Sequence, residues 1–382
     1  MRKKIAETES RILEMNDETT PLRFRVLLSD MDDKVKAVAM KKVDSLAMMD
    51  CGSAYAKIKN WVDGVCALPI GKYKKLPVEP NTPREQVGAF LEGMKQKLDK
   101  AVHGHVEAKG HIIRLLAQWI TNPTSKGLVV GIHGPPGIGK TELCKSVCEV
   151  LNLPFAFVPL GGANDGAYLD GHSYTYEGSM WGKIADVLMK CKAMNPVLFF
   201  DELDKISESK KGEELVNLLI HLTDPTQNDR FNDKFFLDVE LDLSRCLCIF
   251  SYNDENKISP ILRDRMVRVR TEGYTIKDKQ QIAKGHLLPG ILNQFGLNPD
   301  DVTVSDSAIA RIVDVVEEEQ GVRNLKRGLH DCVSFINYER LIGKSDFEFP
   351  TAVTAEQVEE FVRTGRRDGT SSANAPWRMM YV

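Results

Sequence analysis

Between residues 127 and 274 the chain alternates short apolar runs with helical patterns. The runs are rich in β-branched and aromatic residues and predict strands at 127–133, 154–160, 196–202, 245–252 and 267–272. After the first run, Leu143, Val147, Val150 and Leu151 fall on one face of a helix. Strands separated by helices predict an α/β fold, a parallel or mostly parallel sheet flanked by helices on both faces.

On either side the pattern is helical. Met31, Val35, Val38 and Leu46 recur at helical spacing within 22–66. A proline-punctuated stretch from Leu68 to Pro83 then separates them from two further stripes, one through Val87, Phe90, Leu91, Met94 and Leu98, the other through Ile112, Leu115, Leu116, Trp119 and Ile120. From 276 to about 345 the pattern is helical only, with Ile309, Ile312, Val313 and Val316, then Leu325, Leu329, Cys332 and Ile336. Thr354-Ala355-Glu356-Gln357 is a capping box and announces a last short helix. Residues 1–20 are charged and aperiodic, and after Gly365 the chain turns polar and small before an amphipathic end at Trp377–Val382. The expected division is a helical N-terminal region and linker (1–121), an α/β domain (122–274), an all-helical domain (275–365) and a tail (366–382).

Composition narrows the class only modestly. The 382 residues suffice for two or three domains, and 42% hydrophobic with 27% charged residues is ordinary for a globular protein. A net charge of −3 gives no general attraction to nucleic acid. The eight cysteines, at 51, 66, 144, 148, 191, 246, 248 and 332, have no histidines at zinc-site spacing and read as small buried hydrophobes in a reducing compartment. The N-terminus lacks an apolar signal core, and no apolar run reaches membrane-spanning length. The expectation is a soluble, cytoplasmic protein without a membrane partner.

The first predicted strand runs directly into Gly134-Pro135-Pro136-Gly137-Ile138-Gly139-Lys140-Thr141, a complete G-x-x-x-x-G-K-T loop, with Glu142 next on the helix. In such a loop successive backbone N–H groups and a helix N-terminus meet polyphosphate charge, the lysine reaches the β- and γ-phosphates and the threonine holds Mg²⁺. These residues predict binding of a nucleoside triphosphate.

Three other segments supply chemistry that a bound triphosphate needs. Val197-Leu198-Phe199-Phe200 ends in Asp201-Glu202, where Asp201 suits Mg²⁺ and its water shell and Glu202 suits a base that orients the attacking water. Asn253 ends another apolar strand, as either a turn residue or an amide for the γ-phosphate or lytic water. Arg263 and Arg265 precede the last strand, as surface ion-pair partners or, for one that crosses a subunit boundary, an arginine finger. Arg323 opens a helix, either at the surface or reaching back to the nucleotide.

Together these motifs resemble the ATPase module of Lon proteases, a branch of the AAA+ superfamily. Beyond the loop the resemblance includes Leu160-Gly161-Gly162, Gly171 to Tyr176, Gly182-Lys183-Ile184, Asn195-Pro196-Val197, Asp201 to Ile206, Leu222-Thr223-Asp224-Pro225, Asp264-Arg265-Met266, Gly273-Tyr274-Thr275 and Gly321 to Leu325, several of which touch no phosphate. Leu68-Pro69-Ile70-Gly71-Lys72-Tyr73 is similar to the segment that precedes that ATPase, so the likeness runs from about residue 22 to about 365. It implies ATP as the nucleotide, Lys140 and Thr141 as Walker A, Asp201 and Glu202 as Walker B, Asn253 as sensor 1, Arg265 as the arginine finger and Arg323 as sensor 2. It further implies a homo-hexameric ring with each site between neighbours, a helical lid over 275–365, and a polypeptide substrate gripped in the pore by Tyr176.

The chain also departs from that pattern. Lon proteases continue past the lid into a peptidase domain with a Ser–Lys dyad, whereas here the sequence stops at Val382 and no lysine follows Ser371 and Ser372. The extended N-terminal recognition domain of that family is expected to be missing too. Glu177 follows Tyr176 where an aliphatic residue is usual, and Ser251-Tyr252-Asn253-Asp254 replaces the usual small residues around sensor 1. The expectation is an ATP-driven protein remodeller or unfoldase without intrinsic peptidase activity. Two alternatives stand beside it: a nucleotide-gated adaptor or inhibitor of a Lon-type ring, and the ATPase subunit of a protease whose peptidase is a separate chain.

Overall fold

The five runs are short enough to span a sheet once, and the central ones carry few charges and can be buried on both faces, whereas Arg268 and Arg270 leave the last one largely exposed at the sheet edge. In the computed structural model they form strands β1 (Val129–His133), β2 (Phe155–Pro159), β3 (Val197–Asp201), β6 (Leu247–Tyr252) and β7 (Val267–Arg270). The structure describes residues 20–50, 52–122, 128–163, 165–173, 178–343 and 347–365. The strands lie in the order β2-β3-β6-β1-β7, and every pair is parallel. Each predicted strand is therefore present, trimmed by two residues in all, and the α/β class holds.

The described residues divide into two compact units. One comprises residues up to Leu98, Glu107–His133 and Thr141–Arg270; the other comprises Asp99–Val106, Gly134–Lys140 and the residues from Thr271 on.

The first unit holds the sheet. Helices α1 (Leu22–Leu28), α2 (Asp33–Leu46) and α3 (Ser53–Ala67) open it, followed by α4 (Arg84–Ala101), whose last turn belongs to the other unit, and α5 (Val106–Thr121). The sheet is followed and interleaved by α6 (Lys140–Leu151), α7 (Ala167–Asp170), α8 (Lys183–Cys191), α9 (Lys210–Thr223) and α10 (Pro260–Asp264). Trp61, Val62 and Val65 of α3 enter the same apolar core as Leu198, Phe200 and Phe250 of the sheet. An aromatic cluster joins them: Trp61 meets Phe236 edge-on at 6.1 Å, and Trp181 stacks on Phe236 at 5.9 Å. Phe236 lies within a minimal hairpin, β4 (Phe231–Asn232) and β5 (Glu240–Leu241), which the sequence pattern did not predict. Strands of two residues carry no periodicity.

The second unit gathers α11 (Ile276–Ile282), a π-helical turn (Ala283–Leu287), α12 (Leu288–Gln294), α13 (Asp306–Val315), α14 (Arg323–Leu341) and α15 (Ala355–Gly365). Its core includes Ile291, Ile309, Ile312, Leu329, Val333, Ile336, Val358 and Phe361. The expectation that 276–345 is purely helical needs correction, because β8 (Val302–Val304) pairs in parallel with β9 (Thr351–Val353). Three-residue strands far apart in sequence give no detectable alternation. At the start of α15, Gln357 Oε1 accepts the Thr354 N–H at 3.1 Å, as the capping box predicts.

Candidate functional site

In the first unit, β1, β3 and β6 end side by side at one edge of the sheet. His133 pairs with Tyr252 in register, and Phe200, one residue before Asp201, pairs with Phe250. In parallel α/β sheets the carboxyl edge is where ligands bind. Asp201 Oδ1 accepts from the Ser251 hydroxyl and, at 3.1 Å, from the Glu202 N–H. Ser251 itself is 2% exposed on β6, so Asp201 is fixed from the neighbouring strand. Cys144, one turn along α6 from Thr141, feels the Asp201 charge, which adds to the effect of burial in pushing its thiol well up. Thr141, one turn before Cys144 on α6, offers a hydroxyl oxygen, and Asp201 offers a carboxylate. Among the described residues there is no group of three or more His, Cys, Asp or Glu side chains able to cage a metal. Few protein ligands, all of them oxygen, suit Mg²⁺, which keeps waters and shares substrate phosphates.

Glu202 is exposed and adopts a left-handed backbone, φ 60° and ψ 47°. Its carboxylate lies over Gly161: a Cβ built on Gly161 would fall on Glu202 Oε2. The Leu160 N–H donates to the Asp201 carbonyl at 2.9 Å and fixes the two segments together. Asn253 is half-buried just past β6, with its main-chain carbonyl 3.0 Å from His133 Nε2. Arg265 follows α10 and is engaged within its own unit, Nη1 to Asp224 Oδ2 at 2.9 Å. Asp224 Oδ1 accepts the Thr226 N–H at 2.9 Å and the Thr226 hydroxyl at 2.7 Å. These bonds and the arginine hold the Asp224 carboxyl down at about 2. Glu142 is exposed on α6, with Lys145 Nζ 3.6 Å from its carboxylate.

The second unit contains the glycine loop. Gly137 and Gly139 have φ of 78° and 88°, a backbone that other residues adopt only with strain. Lys140 Nζ donates to the Gly134 carbonyl at 2.6 Å. Ile138 is buried and points its carbonyl at two groups: the Tyr274 hydroxyl donates to it at 2.8 Å, and His105 Nε2 lies 3.1 Å away. Burial pushes the Tyr274 hydroxyl pKa up, so it remains a donor. At the far side of the loop, the Val322 N–H donates to the Gly137 carbonyl at 3.1 Å. Arg323 starts α14 here, its Cβ 3.2 Å from where a Cβ on Gly137 would stand. Arg323 is exposed, with its backbone N and Cβ beside Gly137 of the loop.

Several residues around these groups were not singled out by the sequence: Asp224, Ser251, Gly161, Gly321, His105 and Tyr274. Asp224, Gly161, Gly321 and Tyr274 belong to the Lon-like segments outside the phosphate loop, and that was the available signal. Tyr176, expected at a pore, lies outside the described residues, as do Glu177 and the two serines near the end. The seven described cysteines are free thiols, and Cys51 lies outside the described residues. No described helix is long and apolar enough to cross a membrane.

Comparison with known proteins adds to this geometry. Residues 130–274 match the model of the AAA family, the ATPase family associated with various cellular activities. A Lon protease homolog of Acanthamoeba polyphaga mimivirus is 38% identical over 259 residues, which take in 68% of this chain and 25% of the relative. The Lon protease of Clostridium beijerinckii is 32% identical over 355 residues, 92% of this chain and 43% of the relative. That of Rhizobium meliloti is 33% identical over 351 residues, 92% of this chain and 41% of the relative. The chain therefore spans between a quarter and about two fifths of the length of these relatives. With a five-stranded parallel sheet, a complete phosphate loop and the acidic pair at the end of β3, this chain belongs among the Lon-like AAA+ ATPase modules.

Proposed function

We propose that this chain hydrolyses ATP with Mg²⁺ and uses the energy to remodel, unfold or translocate polypeptide, as one subunit of a homo-hexameric ring. The observation that carries the reading is the end of β3, where Asp201 is fixed by Ser251 and Glu202 stands next to it in a left-handed turn. A solvated acidic turn has no need of a buried hydroxyl to aim its first carboxylate. The seven free thiols of the described residues agree with work in the reducing cytoplasm.

In this reading the N–H groups of the loop 134–141 and the Lys140 ammonium hold the phosphates, with Glu142 beside them on the helix. Thr141 and Asp201 would hold Mg²⁺, which neutralises charge on the phosphate oxygens when bound. Glu202 accepts the proton of the attacking water, and Asn253 orients that water or the γ-phosphate. Arg265 of one subunit and Arg323 of the chain that binds the nucleotide meet the charge that develops on the transferred group. Tyr176 is the proposed contact with the polypeptide.

The test is Glu202→Gln. The variant should bind ATP as the parent does, lose steady-state turnover by at least about a hundredfold, and sediment as a six-membered species in Mg–ATP. Unchanged turnover overturns the hydrolytic reading, and a monomer at saturating Mg–ATP overturns the ring. Unfolding of a tagged substrate by the parent protein, lost in Glu202→Gln, tests the use to which the energy is put.

A further inference from the structure

Tyr252 is a large ring at the carboxyl edge of the sheet, directly before Asn253, and it is 1% exposed. The space it fills is made by β1. His133 and Tyr252 are register partners, so their side chains leave the same face of the sheet, and Gly131 lies two residues back on that face. A Cβ on Gly131 would stand 3.1 Å from both Cε1 and the hydroxyl oxygen of Tyr252, and 3.0 Å from Met266 Sδ. The ring therefore occupies the space left by a residue with no side chain. The His133 imidazole stacks against it, with centroids 5.4 Å apart and 18° between the planes.

The same imidazole reaches one residue further. His133 Nε2 is 3.0 Å from the Asn253 main-chain oxygen. A carbonyl only accepts, so Nε2 carries a proton and donates. Asn253 is the first residue beyond the β1–β6 ladder, where backbone pairing no longer fixes the peptide. We infer that His133 and Tyr252 are positioning residues for Asn253: the stack over Gly131 fixes the imidazole, and the imidazole fixes the peptide from which the Asn253 carboxamide projects. The inference rests on the reading of Asn253 as the residue that orients the γ-phosphate or the lytic water. A positioned group loses effect steeply when its anchor loosens. The machinery for affinity, the loop and Lys140, is separate from this element, so the turnover number should respond and nucleotide binding should not.

The experiment compares His133→Phe, His133→Gln, Gly131→Ala and Asn253→Ala in the full chain, with kcat and KM for Mg–ATP, binding of a fluorescent ADP analogue, and thermal melting. His133→Phe keeps a ring to stack on Tyr252 and removes the donor; kcat should fall about tenfold, the factor that about 1.4 kcal/mol of barrier makes, at unchanged KM and ADP affinity. His133→Gln offers an N–H of similar reach and should recover most of that loss. Gly131→Ala pushes on the Tyr252 ring and should show the same kcat-only fall. If Asn253→Ala is impaired while His133→Phe and Gly131→Ala turn over at the parental rate, the positioning role is overturned and the reading of Asn253 stands. If Asn253→Ala itself turns over normally, that reading fails and the inference fails with it. A His133→Gln variant as slow as His133→Phe overturns the hydrogen bond as the cause. Should His133→Phe lack a cooperative melt, Gly131→Ala and His133→Gln decide the question between them.

Discussion

Arg265 is bound to Asp224 within its own chain, guanidinium Nη1 to carboxylate Oδ2 at 2.9 Å. Asp224 is the C-cap residue of α9, its backbone N–H donating to the His221 carbonyl, and its carboxylate is further held by the Thr226 N–H and hydroxyl. These contacts keep its pKa at about 2 against an ordinary 3.8. A group with a depressed pKa contributes stability above its unfolded value and loses it only as pH falls through the folded one, here between 3.8 and about 2. The Asp224 carboxylate is therefore charged, and the pair intact, above about pH 4, so the Arg265 guanidinium is held in a fixed direction for the role proposed for it.

Asp224→Asn keeps the Thr226 contacts on Oδ1 and weakens the hold on Arg265. Steady-state ATPase assays should show a fall in kcat of about tenfold, with ADP affinity unchanged. Arg265→Ala should cost about a thousandfold, the lower end of what an arginine finger supplies. Parental turnover in Asp224→Asn would show that the pair merely occupies the surface.

Gly161→Ala separates catalysis from folding. The added methyl falls on Glu202 Oε2, the tip of a flexible side chain, so the fold can accommodate it while the carboxylate must move. The melting temperature should stay within a few degrees of the parent, and kcat should drop at least about tenfold.

Gly321→Ala should behave in the opposite way. A Cβ there runs into the Pro136 carbonyl oxygen and stands 2.8 Å from the Gly137 oxygen, backbone atoms that cannot rotate away. The cost should be about 1–3 kcal/mol, seen as a lower melting temperature, and ATP affinity should fall because the loop itself is displaced.

Asp233 gives a pH dependence of the opposite sign to Asp224. Its carboxylate is fully buried, with Oδ2 accepting the Gly182 N–H at 2.8 Å and Oδ1 the Phe235 N–H at 2.8 Å. Burial outweighs these bonds and pushes its pKa up to about 6 from 3.8. The folded state then binds the proton more tightly, so this group's contribution to stability is full below 3.8 and is lost as pH rises through about 6. Asp233→Asn removes that component: in melts from pH 5 to 7, the stability of the parent relative to the variant should fall as pH rises. A carboxyl carbon titration midpoint for Asp233 near the ordinary 3.8 would refute the assignment.

The elements legible in the sequence were those encoded locally. Five parallel strands announced themselves because each is a contiguous apolar run, and the phosphate loop because its eight residues are consecutive. Asp201 and Glu202 followed from their place at the end of such a run. The strands missed, β4, β5, β8 and β9, have two or three residues each, too few for a period of two to register. Asp224 carried no local sign of its tie to Arg265, since the two residues follow different helices and meet only when the chain folds.

The sequence by itself determined that this chain has a glycine loop after a strand, an acidic pair after another, and an α/β sheet to bear them. Those properties depend on neighbours in the chain, where spacing and side-chain type suffice. The tertiary structure decided which residues lie against the candidate site residues: Ser251 under Asp201, Gly161 under Glu202, Asp224 on Arg265, and the stack of His133 on Tyr252 behind Asn253. It also set the Arg323 backbone beside Gly137, a place that a helix start alone left open. Each of these is a contact between residues distant in sequence, fixed by strand register and core packing, and no local pattern encodes it.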